Sequence, residues 1–275
     1  MQDETVLIIG TGNMGCAIAQ GLTRSSQAPK LLLCDHNPAR HADLQTRFPN
    51  AQIVQTIKQM QHSPKIIILA VKPHDLENIC YSLATEASTQ ECLYLSVAAG
   101  VPCSALNSWL PAQVALVRAM PNTPAEIGLG MTGLYTAADT STEDKTRAQS
   151  IMQTVGETLW LEREEQLDAV TALSGSGPAY VFYFMECLQH AGVSLGLSPE
   201  QARVLTQQTL LGSAQLAQQS TAFSQLRQHV TSKGGTTEQA LAALTERDLQ
   251  NIIKRALSAA RDRAKEMSNT YQGTS

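Results

Sequence analysis

The chain has 275 residues, 43% of them hydrophobic and 16% charged, with a formal net charge of −4. That length suffices for two domains with their own cores, and the mild acidity excludes the electrostatic footprint of a nucleic-acid binder or of a protein held on an anionic membrane. Cys16, Cys34, Cys80, Cys92, Cys103 and Cys187 share no C-x-x-C spacing and sit mostly in apolar segments, so buried reduced thiols are expected, with no disulfide framework and no metal site.

The first strand, Val6 to Ile9, starts within a few residues of the beginning, which fits no signal or transit peptide and points to the cytoplasm. It enters directly into Gly10, Gly12 and Gly15, and an alanine-rich helical pattern (Ala17, Ile18, Ala19, Leu22) follows. In a strand–turn–helix unit of this kind the first glycine allows the tight turn, the second lets backbone approach a pyrophosphate, and the third lets helix and strand pack closely. The helix N-terminus adds unpaired N–H groups and a positive dipole end. Alone the glycine spacing also fits a plain turn. Here a second strand, Leu31 to Cys34, delivers Asp35 about 20 residues after the last glycine, where an acid accepts hydrogen bonds from an adenosine ribose. The turn Ile9, Gly10, Thr11, Gly12, Asn13, Met14, Gly15 and the strand end Asp35, His36, Asn37 are therefore the expected dinucleotide contacts.

Asn37-Pro38 signals a turn, followed by a helix to about Phe48 and a short strand at Gln52 to Val54. Lys65 to Val71 reads as a central strand, with Ile66 to Val71 a continuous apolar run, as in a parallel strand covered on both faces. It ends at Lys72-Pro73, where proline cannot continue a ladder and suits a helix start. A further strand, Leu93 to Val97, ends in Ala98, Ala99 and Gly100. Ligands of open α/β sheets lie at the carboxyl edge of the strands, which adds Ala70, Val71, Lys72, Pro73, Ala98 and Ala99 to the expected cofactor contacts.

Val114 to Arg118 reads as another strand, leading into Met120-Pro121-Asn122-Thr123-Pro124, which two prolines should hold extended and stiff. It is either a connector or a shelf that places the Asn122 amide near nicotinamide or substrate. A glycine-rich strand region (Gly128 to Thr136), a helix from about Thr142 and a strand Thr158 to Leu161 complete a domain spanning residues 1–162. From Glu164 only helical periodicity remains, which makes 163–275 a helical domain.

Ala169 to Met185 carries no charge, but Gly175, Gly177 and Pro178 interrupt it, so a membrane span of about 20 apolar residues is not expected. Pro178 opens a helix apolar on nearly all sides as far as Leu188, which needs cover from a second subunit. Ser198 caps the next helix, and others are expected over Thr221 to Val230, Glu238 to Leu244 and from Asp248. Between two of them lies Val230-Thr231-Ser232-Lys233-Gly234-Gly235-Thr236-Thr237. Two glycines and four hydroxyls before a helix can cup a small carboxylate, although on spacing alone a flexible connector with threonine caps is the favoured reading.

With these motifs in place the chain resembles the pyrroline-5-carboxylate reductases. The resemblance runs through the Gly10 to Gly15 loop, AVKP at Ala70 to Pro73, SVAAGV at Ser96 to Val101, RAMPNTPA at Arg118 to Ala125, DAVTALSGSGPAYVF at Asp168 to Phe182, and VTSKGGTT at Val230 to Thr237. It implies a doubly wound, mostly parallel Rossmann domain followed by an all-α dimerisation domain, and dimers that assemble further into decamers as pentamers of dimers. It also implies NAD(P)H as cofactor and a cyclic imino acid, 1-pyrroline-5-carboxylate, reduced to proline, with no nucleic-acid or membrane partner. By resemblance Thr237 positions the ring nitrogen as the catalytic residue, while Ser232, Gly235, Thr236 and Thr237 bind substrate; the shelf reading adds Asn122 to them. The carboxylate-cup reading of the 230–237 loop thereby replaces the connector reading.

Two features depart from the family pattern. Lys233 stands where many members have proline, and Asp35-His36-Asn37 stands where many carry Asn-Arg or small polar residues suited to a 2′-phosphate. An ionised Asp35 would bind a ribose hydroxyl and repel that phosphate, tilting preference toward NADH, with a protonated His36 offsetting part of the effect. A β-hydroxyacid dehydrogenase would need a helix lysine as acid/base, and none occurs between Lys145 and Lys233. A non-enzymatic NAD(P)-binding regulator is the other alternative, and turnover with a cyclic imino acid discriminates it. Glu164, Glu165, Asp168 and the six histidines read as solvated or capping groups.

Overall fold

The computed structural model describes residues 4–137, 140–219 and 222–271. Eight strands, β1 (Thr5–Ile9), β2 (Lys30–Cys34), β3 (Gln52–Val54), β4 (Ile66–Leu69), β5 (Leu93–Ser96), β6 (Ala115–Met120), β7 (Gly130–Thr136) and β8 (Gly156–Trp160), form one sheet in the order β3-β2-β1-β4-β5-β6-β7-β8. β3 through β6 pair in parallel, β7 runs antiparallel to β6, and β8 is parallel to β7. The reversal at β7 has a local cause. The Pro121–Leu129 connection is shorter than the dozen or so residues a parallel crossover needs.

Alternate side chains of the strands feed two cores. Val6 and Ile8 of β1 join one that includes Ile18 and Leu22 of α1 (Asn13–Arg24) and Ile151 and Met152 of α5 (Thr142–Gln153). Leu7 and Ile9 join the other, with Leu76 and Leu83 of α3 (Leu76–Ala84) and Leu106 and Trp109 of α4 (Cys103–Trp109). The short α2 (His41–Arg47) follows β2 and contributes Leu44. Burial on both faces explains why Ile66 to Leu69 is apolar without alternation. The strand order reverses direction between β1 and β4, the switch point where open α/β sheets bind ligands. The expected doubly wound, mostly parallel sheet is what the chain forms.

The chain divides into two compact units, one running to Ser176 and resuming at Ala260, the other spanning Gly177–Ala259. The change of periodicity near residue 162 therefore does not coincide with the division by packing. α6 (Gln166–Val170) and a π-helical turn (Thr171–Gly175) lie against the sheet, and a Cβ on Gly133 of β7 would come within 2.9 Å of Val170 Cγ1. Arg118, 6% exposed, donates to Glu164 Oε1 at 2.6 Å, and the same oxygen accepts the Cys103 N–H at 2.6 Å at the start of α4. Glu164 is thus a capping group, as its sequence context suggests. The end of α11 (Leu249–Asn269) belongs to this unit as well, with Met267 over Gly100 and the Tyr271 ring edge-on to Trp109 at 5.9 Å.

In the second unit α7 (Gly177–Ser194) and α8 (Pro199–Ala217) form a hairpin, closed where Gly192 lets Ala202 approach and where Gly196 turns at φ 99°. Ser198 and Gln201 cap α8 reciprocally. α9 is described as Phe223–His229, and the expected start at Thr221 lies outside the described residues. α10 (Thr236–Glu246) begins two residues earlier than expected, because Gly235 takes an extended N-cap conformation. Among the described residues of this unit only Ala202 and Thr206 are buried, while Val181, Phe182, Tyr183 and Phe184 of α7 are all exposed. Among the described residues no helix is long and apolar enough to cross a membrane.

Candidate functional site

The β1–α1 turn builds a cradle whose glycines differ in what fixes them. Gly10 has φ +88°, and a Cβ there would lie 2.6 Å from the Ala70 carbonyl oxygen. At Gly15 a Cβ would meet the Gly10 carbonyl oxygen at 2.0 Å, so this glycine sets how closely α1 approaches β1. Gly12 is the opposite case: a Cβ would meet nothing within 4 Å, and it would stand in open space at the head of α1. No side chain caps that helix, so its first N–H groups remain for a ligand. A pyrophosphate fits this arrangement, since only a residue without a side chain leaves the approach clear.

The cradle opens into a cleft of about 740 Å³ at the switch point. Ile9, Gly10, Thr11, Gly12, Asp35, His36, Asn37, Ala70, Val71 and Lys72 line it, ten of the residues expected from sequence. Asn13, Met14 and Gly15 form the first turn of α1 behind it, and Pro73 opens the 3-10 turn that leads into α3. Ala98 is buried in the core with Leu7, and Ala99 is half-buried. Neither lines the cleft. Sequence reasoning passed over Arg40, Gln55, Thr56, His74 and Asn78, which do.

Asp35 is not an open acceptor. Its Oδ2 takes a hydrogen bond from the Thr11 hydroxyl, its Oδ1 one from the Asn37 N–H at 2.9 Å, and Arg40 Nη1 lies 3.2 Å from Oδ2. Arg40 Nη2 also donates to the Thr11 carbonyl. Burial by itself would raise the carboxyl pKa, but the Thr11 and Asn37 hydrogen bonds and the charges of Arg40 and His36 outweigh it and hold Asp35 below the ordinary carboxylate value.

The segment expected to be extended at Met120 to Pro124 is only partly so. β6 runs on to Met120, Asn122 is extended, and Thr123–Ile127 coils into a 3-10 turn. The proline-fixed φ serves a helical first turn as well as an extended chain, so Pro124 did not impose the latter. Asn122 Oδ1 accepts the Met131 N–H at 2.9 Å and its amide nitrogen donates to the Ser174 carbonyl at 3.0 Å. The donor at Met131 fixes which end is oxygen. Asn122 therefore ties β7 to the π turn, as a connector residue does.

In the second unit the 230–237 loop enters α10. Gly234 has φ +73°, and its N–H donates to Glu238 Oε2 at 2.7 Å. The Gly235 N–H donates to the Ser232 carbonyl at 3.1 Å, so Gly235 is not the free donor expected of it. Its lack of a side chain matters instead, because a Cβ would sit 2.6 Å from Ser232 Oγ. Ser232 Oγ thus lies over the head of α10, where no side chain caps the N–H groups of Thr236 and Thr237. Glu238 and its bond to Gly234 were not foreseen, although an acid in a helix first turn is a common N-terminal signal.

Residues 164–267 match the family model for pyrroline-5-carboxylate reductase dimerisation, and residues 5–100 match that for NADP oxidoreductase, coenzyme F420-dependent. A pyrroline-5-carboxylate reductase of Pseudomonas aeruginosa is 38% identical over 97% of this chain and 98% of its own. The solved pyrroline-5-carboxylate reductase of Coxiella burnetii superposes with a TM-score of 0.91 at 38% identity, covering 96% of this chain and 98% of its own. That of Plasmodium falciparum, solved with NADP bound, gives 0.82 at 28% identity over 98% and 99%. With relatives matched from end to end, with the glycine cradle at the switch point and with the Ser232–Thr237 loop at the head of α10, the chain belongs to the pyrroline-5-carboxylate reductase family.

Proposed function

We propose that the chain reduces the cyclic imine 1-pyrroline-5-carboxylate to L-proline with NAD(P)H, the last step of proline biosynthesis. The observation that carries this reading is the full-length match to reductases of that name. A nicotinamide cofactor, once bound, would supply the hydride that the imine carbon takes up. On the protein's side, Ser232 Oγ and the N–H groups of Thr236 and Thr237 hold the substrate carboxylate. The Thr237 hydroxyl meets the ring nitrogen, accepting from the iminium and donating to the amine that forms. No stronger acid is needed, since the imine arrives protonated or takes its proton through water.

In this reading residues 1–162 bind the dinucleotide, through the Ile9–Gly15 turn, Asp35 to Asn37 and Ala70 to Pro73, with Ala98 and Ala99 shaping the sheet edge. Residues 163–275 supply the substrate loop and the subunit contacts. The protein works in the cytoplasm as a homodimer, with pentamers of dimers as the larger assembly. The exposed aromatic face of α7 supports the dimer. Steady-state assays with pyrroline-5-carboxylate and NADH or NADPH test the function. Measurable turnover to proline is expected, and its absence with intact dinucleotide binding would refute it.

A further inference from the structure

Asp35 alone, at the end of β2, would favour an unphosphorylated ribose. Its surroundings reverse that expectation. The carboxylate is 7% exposed and already accepts from Thr11, Asn37 and Arg40. With roughly four lone-pair sites on a carboxylate, little remains for a diol. The side chain that meets the cleft there is Arg40, 38% exposed, lining the same cavity as Gly12, His36 and Asn37. Two of its nitrogens are anchored, one on Asp35 and one on the Thr11 carbonyl, so the guanidinium is held in one place while its other N–H groups stay unassigned. The pair cancels the charge of Asp35, and a planar, fixed guanidinium is the group best suited to take two phosphate oxygens at once.

We infer that Arg40 is the specificity-determining residue for the cofactor: braced by Asp35 and the Thr11 carbonyl, it receives the 2′-phosphate and makes this chain prefer NADP(H). Asp35 is then a positioning residue and does not bind the ribose diol. The inference rests on the reading of this cleft as the dinucleotide site. It assigns the phosphate to a side chain five positions beyond Asp35, in the 3-10 turn Pro38–Arg40, outside the segment where the sequence invites one to look.

Calorimetric titration with NADP+ and NAD+, which differ only in the 2′-phosphate, tests it without turnover. The wild-type chain should bind NADP+ at least about tenfold more tightly, with a steeper salt dependence than that of NAD+. Arg40→Ala should bring the ratio of the two affinities to about one, and Arg40→Lys should retain part of it. Because both ligands need the same cradle, damage to the fold weakens both alike and leaves the ratio unchanged. A wild-type ratio near one, or an Arg40→Ala ratio equal to the wild-type ratio, overturns the inference. Loss of pyrroline-5-carboxylate turnover with this selectivity intact would strike the proposed function and leave Arg40 standing.

Discussion

Thr237 carries the chemical part of the reading. If the proposed contact with the substrate nitrogen holds, replacing Thr237 with alanine should lower kcat/KM by about tenfold to a few hundredfold, the size of one charge-assisted hydrogen bond. Dinucleotide affinity should be nearly intact, and Thr237→Ser should recover most of the activity. Equal failure of alanine and serine in a folded protein would mean the hydroxyl is not the acting group. Gly12 and Gly15 give a second contrast at this scale. Gly12→Ala places a methyl in open space, so melting should shift little while dinucleotide affinity falls at least about tenfold. Gly15→Ala drives a methyl into a backbone carbonyl 2.0 Å away and should cost about 3 kcal/mol of stability, read by denaturant titration. The spacing of the two glycines was legible in the sequence. Their different reasons were not, because they depend on what β4 and the turn itself place opposite each one.

Among elements, the strands of the parallel core were plain from their unbroken apolar runs, and the short strand expected near Gln52 to Val54 forms there. The π turn at Thr171–Gly175 left no such mark, since Ser and Gly in succession read as a loop until Gly175 is seen against Met120. Arg40 was missed for a similar reason. A basic residue in a polar turn carries no pattern, and only the fold returns it to Asp35 and Thr11. The anchoring of α4 on the segment before α6 can be tested through Glu164. Glu164→Ala strands Arg118, whose side chain is 8% exposed, and frees the Cys103 N–H, so unfolding should be easier by about 3 kcal/mol. Glu164→Gln, which keeps an acceptor without charge, should lose less. Equal stability of Glu164→Ala and wild type by denaturant titration would show that water replaces the carboxylate without cost.

For the molecule as a whole, the second unit cannot stand on its own packing. With only Ala202 and Thr206 buried among its described residues, it has no core of the kind that offsets the entropy of ordering a chain. Folding and subunit association should therefore be one transition, with a Tm that rises with protein concentration. Phe182→Asp on α7, at a ring 64% exposed in the single chain, should lower that Tm sharply and shift the protein to smaller or unfolded species in light scattering. A monodisperse, folded wild-type monomer at micromolar concentration would refute this. The apolar helix made the requirement visible in the sequence, but that the end of the last helix belongs with the sheet did not show there, because Met267 and Tyr271 reveal their partners only across a long separation. That separation matters during synthesis. A ribosome delivers the whole of Gly177–Ala259 before it delivers Met267 and Tyr271, which settle on Gly100 and Trp109. The nascent sheet must therefore wait, with the surface beside α4 still bare, and that interval is when a chaperone has most to protect.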